Sequence, residues 1–219
     1  MKIMIVTDAW EPQVNGVVRT LKMTTRHLQS MGHSTHILSP LDFRSFPCPT
    51  YPEISLALAS PAAVARHIDQ VRPDCLHIAT EGPLGWAARG VALRRGWPFT
   101  TAYHSRFPEY VHARVRVPLG WSYALLRRFH NAAQATLAPT PAIVTDLVQR
   151  GFTRARLWSR GVNLEAFTPQ GPRLPRSHVP VFLYVGRLAV EKQVQAFLSL
   201  DLPGEKWVAG TGPEEAKLK

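Results

Sequence analysis

Three places in the 219-residue sequence combine residue types that act on anions or hydroxyls. The first is the turn-rich stretch 8–16, which carries Pro12 and Asn15-Gly16 and leads into a helical pattern. A glycine at a helix start lets backbone N–H groups approach an anion, and the helix dipole favours negative charge there. The stretch also fits an ordinary strand-to-helix turn in which Gly16 only relieves crowding, since neither Gly-x-Gly-x-x-Gly nor a Walker pattern is present. The second place is His104, directly after the apolar run 99–103. An imidazole there can donate to a phosphate or hydroxyl near neutral pH. It is also one histidine among nine, and a surface role fits its type equally. The third is Gly186-Arg187-Leu188-Ala189-Val190-Glu191-Lys192, where a forked guanidinium and an ammonium point charge flank a helix start. That pairing suits a diphosphate, although cations at helix starts are also commonly solvated.

Positioning these residues requires strands that end beside helix starts. Residues 2–7 are a short apolar run of the kind a buried parallel strand shows. Val17, Val18, Leu21, Leu28 and Met31 then keep one helical face apolar, Gly32 ends the helix, and 36–39 continue as a strand. Residues 40–53 read as a Pro-rich, aromatic loop and 54–58 as a short strand. The spacing predicts helices over 61–71, from the turn 81–85 on to about 95, about 118–133, from the cap 139–141 to Gly151, and 191–200, with strands at 75–79, 99–103, 135–138, 156–159, 181–185 and 207–209. Residues 105–117 read as a loop. Strands alternating with helices in this way predict an α/β fold, a Rossmann-like parallel sheet with helices on both faces.

The prolines at 169, 172, 175 and 180 mark a linker over 169–180. Residues 1–168 then form one domain, and 181–219 are the incomplete start of a second Rossmann-like domain, too small to bury a core of its own. Two cysteines, Cys48 and Cys75, are too few for a disulfide framework or a zinc site. No apolar run is long enough to span a bilayer, and the N-terminus is too soon acidic for a signal peptide. The expected location is cytoplasmic.

The formal charge of +11 points to an anionic partner. Arginines crowd between Arg89 and Arg128, opposed only by Glu109. Within 112–130, Arg114, Arg116, Arg127 and Arg128 alternate with Trp121, Tyr123, Leu125, Leu126 and Phe129. This pattern fits a helix lying on the inner face of an anionic membrane, and equally a core helix with a solvated arginine edge. Apolar turns interrupt the basic residues and no nucleic-acid motif is present, so nucleic acid is not an expected partner.

Several stretches together resemble the GT-B glycosyltransferases, in particular retaining family 4 enzymes of the branch holding GDP-mannose-dependent α-mannosyltransferases and sulfoquinovosyl diacylglycerol synthases. They are residues 7–20 (Thr-Asp-Ala-Trp-Glu-Pro-Gln-Val-Asn-Gly-Val-Val-Arg-Thr), Glu81-Gly82-Pro83-Leu84-Gly85, 103–110, Ser159-Arg160-Gly161-Val162-Asn163, 167–169, 185–192 and Gly210-Thr211-Gly212-Pro213. The resemblance implies two Rossmann-like domains facing across a cleft, the first holding the acceptor and the second a nucleotide sugar. It places His104 near the reacting sugar and Arg187 and Lys192 on the diphosphate leaving group, whose electrostatic stabilisation would be the main catalytic effect. It places Asn15, Gly16, Gly186 and Gly212 on the donor phosphates, and Glu81 and Arg106 on the acceptor side. The implied donor is GDP-mannose or a UDP-sugar, the acceptor a lipid or glycan, and no metal or other cofactor is implied. The family's two glutamates spaced by seven residues do not follow Gly212 here. The alternative reading is therefore a truncated, non-catalytic chain that keeps the acceptor domain and cannot hold donor.

Overall fold

A computed structural model describes residues 1–48, 51–171 and 177–219. Residues 172–176, within the expected linker, lie outside the described residues. The chain divides into two compact units, Met1–Gly161 and Val162–Lys219.

The first unit alternates strands and helices: β1 (Lys2–Val6), α1 (Gly16–Ser30), β2 (Ser34–Leu38), β3 (Ser45–Cys48), β4 (Tyr51–Ala57), α2 (Pro61–Val71), β5 (Cys75–Ile78), α3 (Pro83–Arg94), β6 (Phe99–Ala102), α4 (Phe107–Val115), α5 (Leu119–His130), β7 (Ala135–Ala138), α6 (Pro141–Gln149) and β8 (Ala155–Leu157). Six strands form one parallel sheet in the order β2-β1-β5-β6-β7-β8. The chain runs outward from β1 to β2, returns to β5 on the other side of β1, and then proceeds outward again. Its direction therefore reverses between β1 and β5, the kind of place where open α/β sheets leave a crevice at the strand ends.

Alternation along β1 decides which face each helix covers. Ile3 and Ile5 face α1 through Val17 and Leu21. Met4 and Val6 face the opposite side, where Val64 and Ile68 of α2, Leu84 and Ala88 of α3 and Phe129 of α5 complete the main core. A further cluster joins Tyr123 and Leu126 of α5 and Leu147 of α6 to Phe152 and to Ala138 of β7. The helix ends follow local chemistry. Ser60 accepts the Ala63 N–H at the start of α2, with Pro61 in the first turn, and Arg72 closes the helix in the left-handed region at φ 49°. Thr140 and Pro141 start α6 in the same way.

Three expectations are corrected. The supposed loop 40–53 contains β3, which pairs antiparallel with β4, and β4 begins at Tyr51. Residues 49–50 between them lie outside the described residues. Proline at position 47 hid the strand, but in a two-stranded ribbon its missing donor need not face a partner. The supposed loop 105–117 contains α4, which starts with a proline in its first turn and Glu109 to complement the dipole. The expected helix 191–200 is broken. A 3-10 turn at Val190–Lys192 ends at Gln193, which lies in the left-handed region at φ 49°, and α7 is only Val194–Leu198.

The second unit pairs β9 (Val181–Val185) in parallel with β10 (Glu205–Ala209), followed by the short α8 (Glu215–Leu218). On one face Tyr184 stacks at 6.1 Å on Phe197 of α7. On the other face Val181, Leu183 and Val185 are exposed.

Candidate functional site

At the β1/β5 reversal the chain supplies its own anion. The Asp8 carboxylate accepts the backbone N–H groups of Leu84 at 2.8 Å and Gly85 at 3.2 Å, and the Thr80 hydroxyl at 2.8 Å. It thereby caps α3, whose own N-cap, Gly82, has no side chain to offer. Burial pushes the Asp8 pKa up against the lowering effect of these donors. The motif Glu81-Gly82-Pro83-Leu84-Gly85 is explained by this closure. A Cβ on residue 82 would lie 2.4 Å from Asp8 Cγ, and one on residue 85 would lie 2.0 Å from the Thr80 carbonyl oxygen. Asp8 was not singled out from the sequence, because its partners stand across the sheet reversal.

The neighbouring helix start is different. The Asn15 side chain accepts the N–H groups of Val17 and Val18, both at 3.0 Å, and so opens α1. A Cβ on Gly16 would meet nothing within 4 Å, and Gly16 is not in the left-handed region. Crowding within the described residues therefore does not account for this glycine.

His104 stands just beyond β6. Arg160, beyond β8, donates from Nη2 to His104 Nδ1 at 2.7 Å. The other ring nitrogen, Nε2, is buried with no hydrogen-bond partner among the described residues. Trp158 presents its ring to His104 at 6.3 Å and to His77 of β5 at 6.4 Å. Burial first, then the Arg160 charge, pushes the His104 pKa down to about 3. Burial alone takes His77 down to about 4. His77 Nδ1 meets the Thr100 hydroxyl at 2.9 Å, and its Nε2 also lacks a partner among the described residues. Neither Arg160 nor His77 was a sequence-derived candidate; the position of Arg160 past a strand end was the available signal.

Glu81, at the end of β5, is held from behind. The fully buried His130 donates from Nε2 to Glu81 Oε1 at 3.0 Å. Its Nδ1 meets the Thr101 hydroxyl at 2.9 Å, which meets the Thr136 hydroxyl at 3.2 Å. This buried polar chain aims one carboxylate at the strand-end edge. Arg106 is exposed at the N-cap of α4.

In the second unit, two glycine turns are laced together. Gly186 donates its N–H to the Ala209 carbonyl at 3.0 Å, and Leu188 donates to the Thr211 carbonyl at 2.9 Å. A Cβ on Gly210, which sits at φ 157°, would lie 1.9 Å from the Gly186 carbonyl oxygen. A Cβ on Gly212 would lie 2.3 Å from the Leu188 carbonyl oxygen, so packing within the chain accounts for that glycine. Arg187 is half-buried, and Lys192 is exposed at the end of the 3-10 turn.

The basic stretch proves to be mostly α5. Its buried stripe is Tyr123, Leu126, Phe129 and His130, and Trp121 is 76% exposed on the other side with Leu125 at 53%. Arg116 and Arg128 are exposed, while Arg127 donates to the Arg150 carbonyl at 3.0 Å and helps close α6. The Arg114 side chain lies outside the described residues. No helix of the described residues is long and apolar enough to cross a membrane. Among the described residues, no group of three or more His, Cys, Asp or Glu is placed to hold a metal ion.

A parallel α/β sheet with glycine-opened helices and cations at its strand ends is an architecture for handling anionic ligands. The sequence profile of Glycosyltransferase Family 4 matches residues 14–166, and the chain belongs to that family. Sulfoquinovosyl transferase SQD2 of Arabidopsis thaliana is 31% identical, the match covering 94% of this chain and 46% of that protein. The GDP-mannose-dependent alpha-mannosyltransferase of Mycobacterium tuberculosis (strain CDC 1551 / Oshkosh) is 26% identical over 100% of this chain and 65% of its own length. The alpha-monoglucosyldiacylglycerol synthase of Streptococcus pneumoniae (strain ATCC BAA-255 / R6) is 24% identical over 100% of this chain and 58% of its own length. The chain thus spans about half to two-thirds of the curated relatives it matches. Among solved structures, the lipopolysaccharide outer core galactosyltransferase WaaB in its apo form shares the fold. Its TM-score is 0.54 at 15% identity, covering 99% of this chain and 63% of that one.

Proposed function

We propose that the chain serves the transfer of a hexose, of mannose or glucose type, from GDP-mannose or a UDP-sugar to a lipid or glycolipid acceptor with retention of configuration. The observation that carries this reading is the opening of α1. Gly16 is a glycine that no neighbour among the described residues demands, at a helix N-terminus that favours a phosphate, in a chain of Glycosyltransferase Family 4. The relatives support the same chemistry: one is a sulfoquinovosyl transferase, one a GDP-mannose-dependent mannosyltransferase, and one an alpha-monoglucosyldiacylglycerol synthase.

In this reading Asn15 and Gly16 meet the donor phosphates, and Gly186 lets the backbone come close to them. Arg187 and Lys192 neutralise the diphosphate as it leaves, so charge stabilisation comes from side chains and no metal is invoked. His104 touches the reacting sugar. Glu81 and Arg106 lie on the acceptor side. The chain works from the cytoplasm, and Trp121, Leu125, Arg116 and Arg128 rest on an anionic membrane that supplies the acceptor.

Calorimetry with GDP-mannose and UDP-glucose tests the donor half. Binding of one nucleotide sugar is expected, weakened about tenfold by Arg187→Ala, the cost of one charge-assisted contact to a phosphate. Absence of binding by every nucleotide sugar overturns the reading for this chain. It would favour a non-catalytic role for the acceptor-side residues.

A further inference from the structure

We propose that Arg160 is a positioning residue that fixes His104 as a hydrogen-bond donor, so that His104 presents Nε2–H to an oxygen of the sugar substrate and does not take a proton from it. This rests on the reading that His104 meets a sugar.

The direction of one hydrogen bond carries the argument. Arg160 Nη2 lies 2.7 Å from His104 Nδ1. A guanidinium has five N–H donors, no acceptor, and keeps its charge at any working pH. Nδ1 must therefore be the acceptor, and the single proton of the neutral ring is on Nε2. A second proton on Nδ1 would set two cations against each other at hydrogen-bond distance.

The surroundings act in the same sense. His77 of β5, His130 of α5 and Arg160 beyond β8 each disfavour the imidazolium, and burial disfavours it more than any of them. A histidine that serves as a base is normally oriented by a carboxylate on its far nitrogen, which stabilises the imidazolium as it forms. Here a cation occupies that place. What remains is a neutral ring with a buried N–H that no described residue accepts. Such a donor carries a desolvation cost until a ligand oxygen takes it, so a hydroxyl or ring oxygen of a sugar is a fitting occupant.

Long-range proton–nitrogen NMR correlation on the uniformly ¹⁵N-labelled full chain, without sugar, reports which ring nitrogen carries the proton. The His104 signal is assigned by its loss in His104→Gln. The expected wild-type result is a bare Nδ1 and a protonated Nε2 with no titration between about pH 5 and pH 8, the range in which an ordinary histidine charges. Arg160→Ala should move the titration midpoint upward, and Arg160→Lys should return it. Where Arg160→Ala does not fold, Arg160→Gln carries the same comparison, since it removes the charge and keeps a donor. A protonated Nδ1 in the wild type overturns the proposal, as does a midpoint unmoved by loss of the Arg160 charge. The two readings fail separately. Correct tautomers without nucleotide-sugar binding sink the transferase reading alone, and nucleotide-sugar binding with the wrong tautomer sinks the role of Arg160 alone.

Discussion

The Asp8 carboxylate accepts the Leu84 N–H at 2.8 Å, so a residue just past the first strand caps a helix through an N–H 76 residues further along the chain. Two helices start beside the sheet reversal, and they are not equivalent. The positive end of α3 is already answered by a buried side chain. The positive end of α1 is answered by a neutral asparagine, with open space over Gly16. An incoming phosphate has one of these two ends to approach.

This asymmetry predicts opposite outcomes for three glycine substitutions. Gly82→Ala and Gly85→Ala should each lose about 2 kcal/mol, because the new methyl meets a buried carboxylate or a backbone carbonyl that cannot yield freely. Gly16→Ala should stay within about 0.5 kcal/mol of the wild type, having nothing to strike. Its effect should be on nucleotide-sugar affinity. Urea denaturation of the three variants checks the contrast, and equal losses at 16 and 82 would contradict it.

His77 predicts a pH dependence of stability. Its folded pKa is lowered to about 4 by burial, below the unfolded value of 6.5. The unfolded chain therefore binds the proton more readily. The stabilisation is complete above pH 6.5 and is lost as pH falls toward 4. Complete loss amounts to about 3 kcal/mol by linkage. Thermal unfolding scans across that window should fall more steeply for the wild type than for His77→Gln.

Glu81 and His130 should be energetically coupled. The imidazole is fully buried and the carboxylate half-buried, so removing either strands the other in poor solvent. A double-mutant cycle with Glu81→Gln and His130→Gln should return a coupling of about 1–2 kcal/mol. A cycle that closes to zero would mean that the 3.0 Å contact contributes nothing.

The membrane reading concerns Trp121 and Leu125, which lie one turn apart on the exposed side of α5. Replacing both by serine should leave the unfolding midpoint unchanged and reduce sedimentation with phosphatidylglycerol vesicles several-fold. Unchanged sedimentation would leave the arginine edge as an ordinary solvated surface.

Local signals located much of the fold. Helix α2 spans 61–71 as expected because cap, first-turn proline and the Val64/Ile68 spacing all act within one segment. The family was legible in the motif order and is borne out over residues 14–166. What could not be read depended on distant partners. Gly82 announces a close approach, but only the folded chain shows that Asp8 is what approaches. Arg160 looks like one more arginine until β8 brings it to His104 across 56 residues. The break at Gln193 was hidden for the opposite reason. Its sequence favours a helix locally, and the expected helix gave way to a left-handed residue there.

The exposed row Val181, Leu183 and Val185, at 38%, 52% and 72%, has a practical consequence. Three branched side chains on one face of a two-stranded ribbon, beside a strand edge that pairs with no third strand among the described residues, form a natural nucleus for self-association. Solubility of the purified protein should be limited there first. Leu183→Lys should raise the attainable concentration.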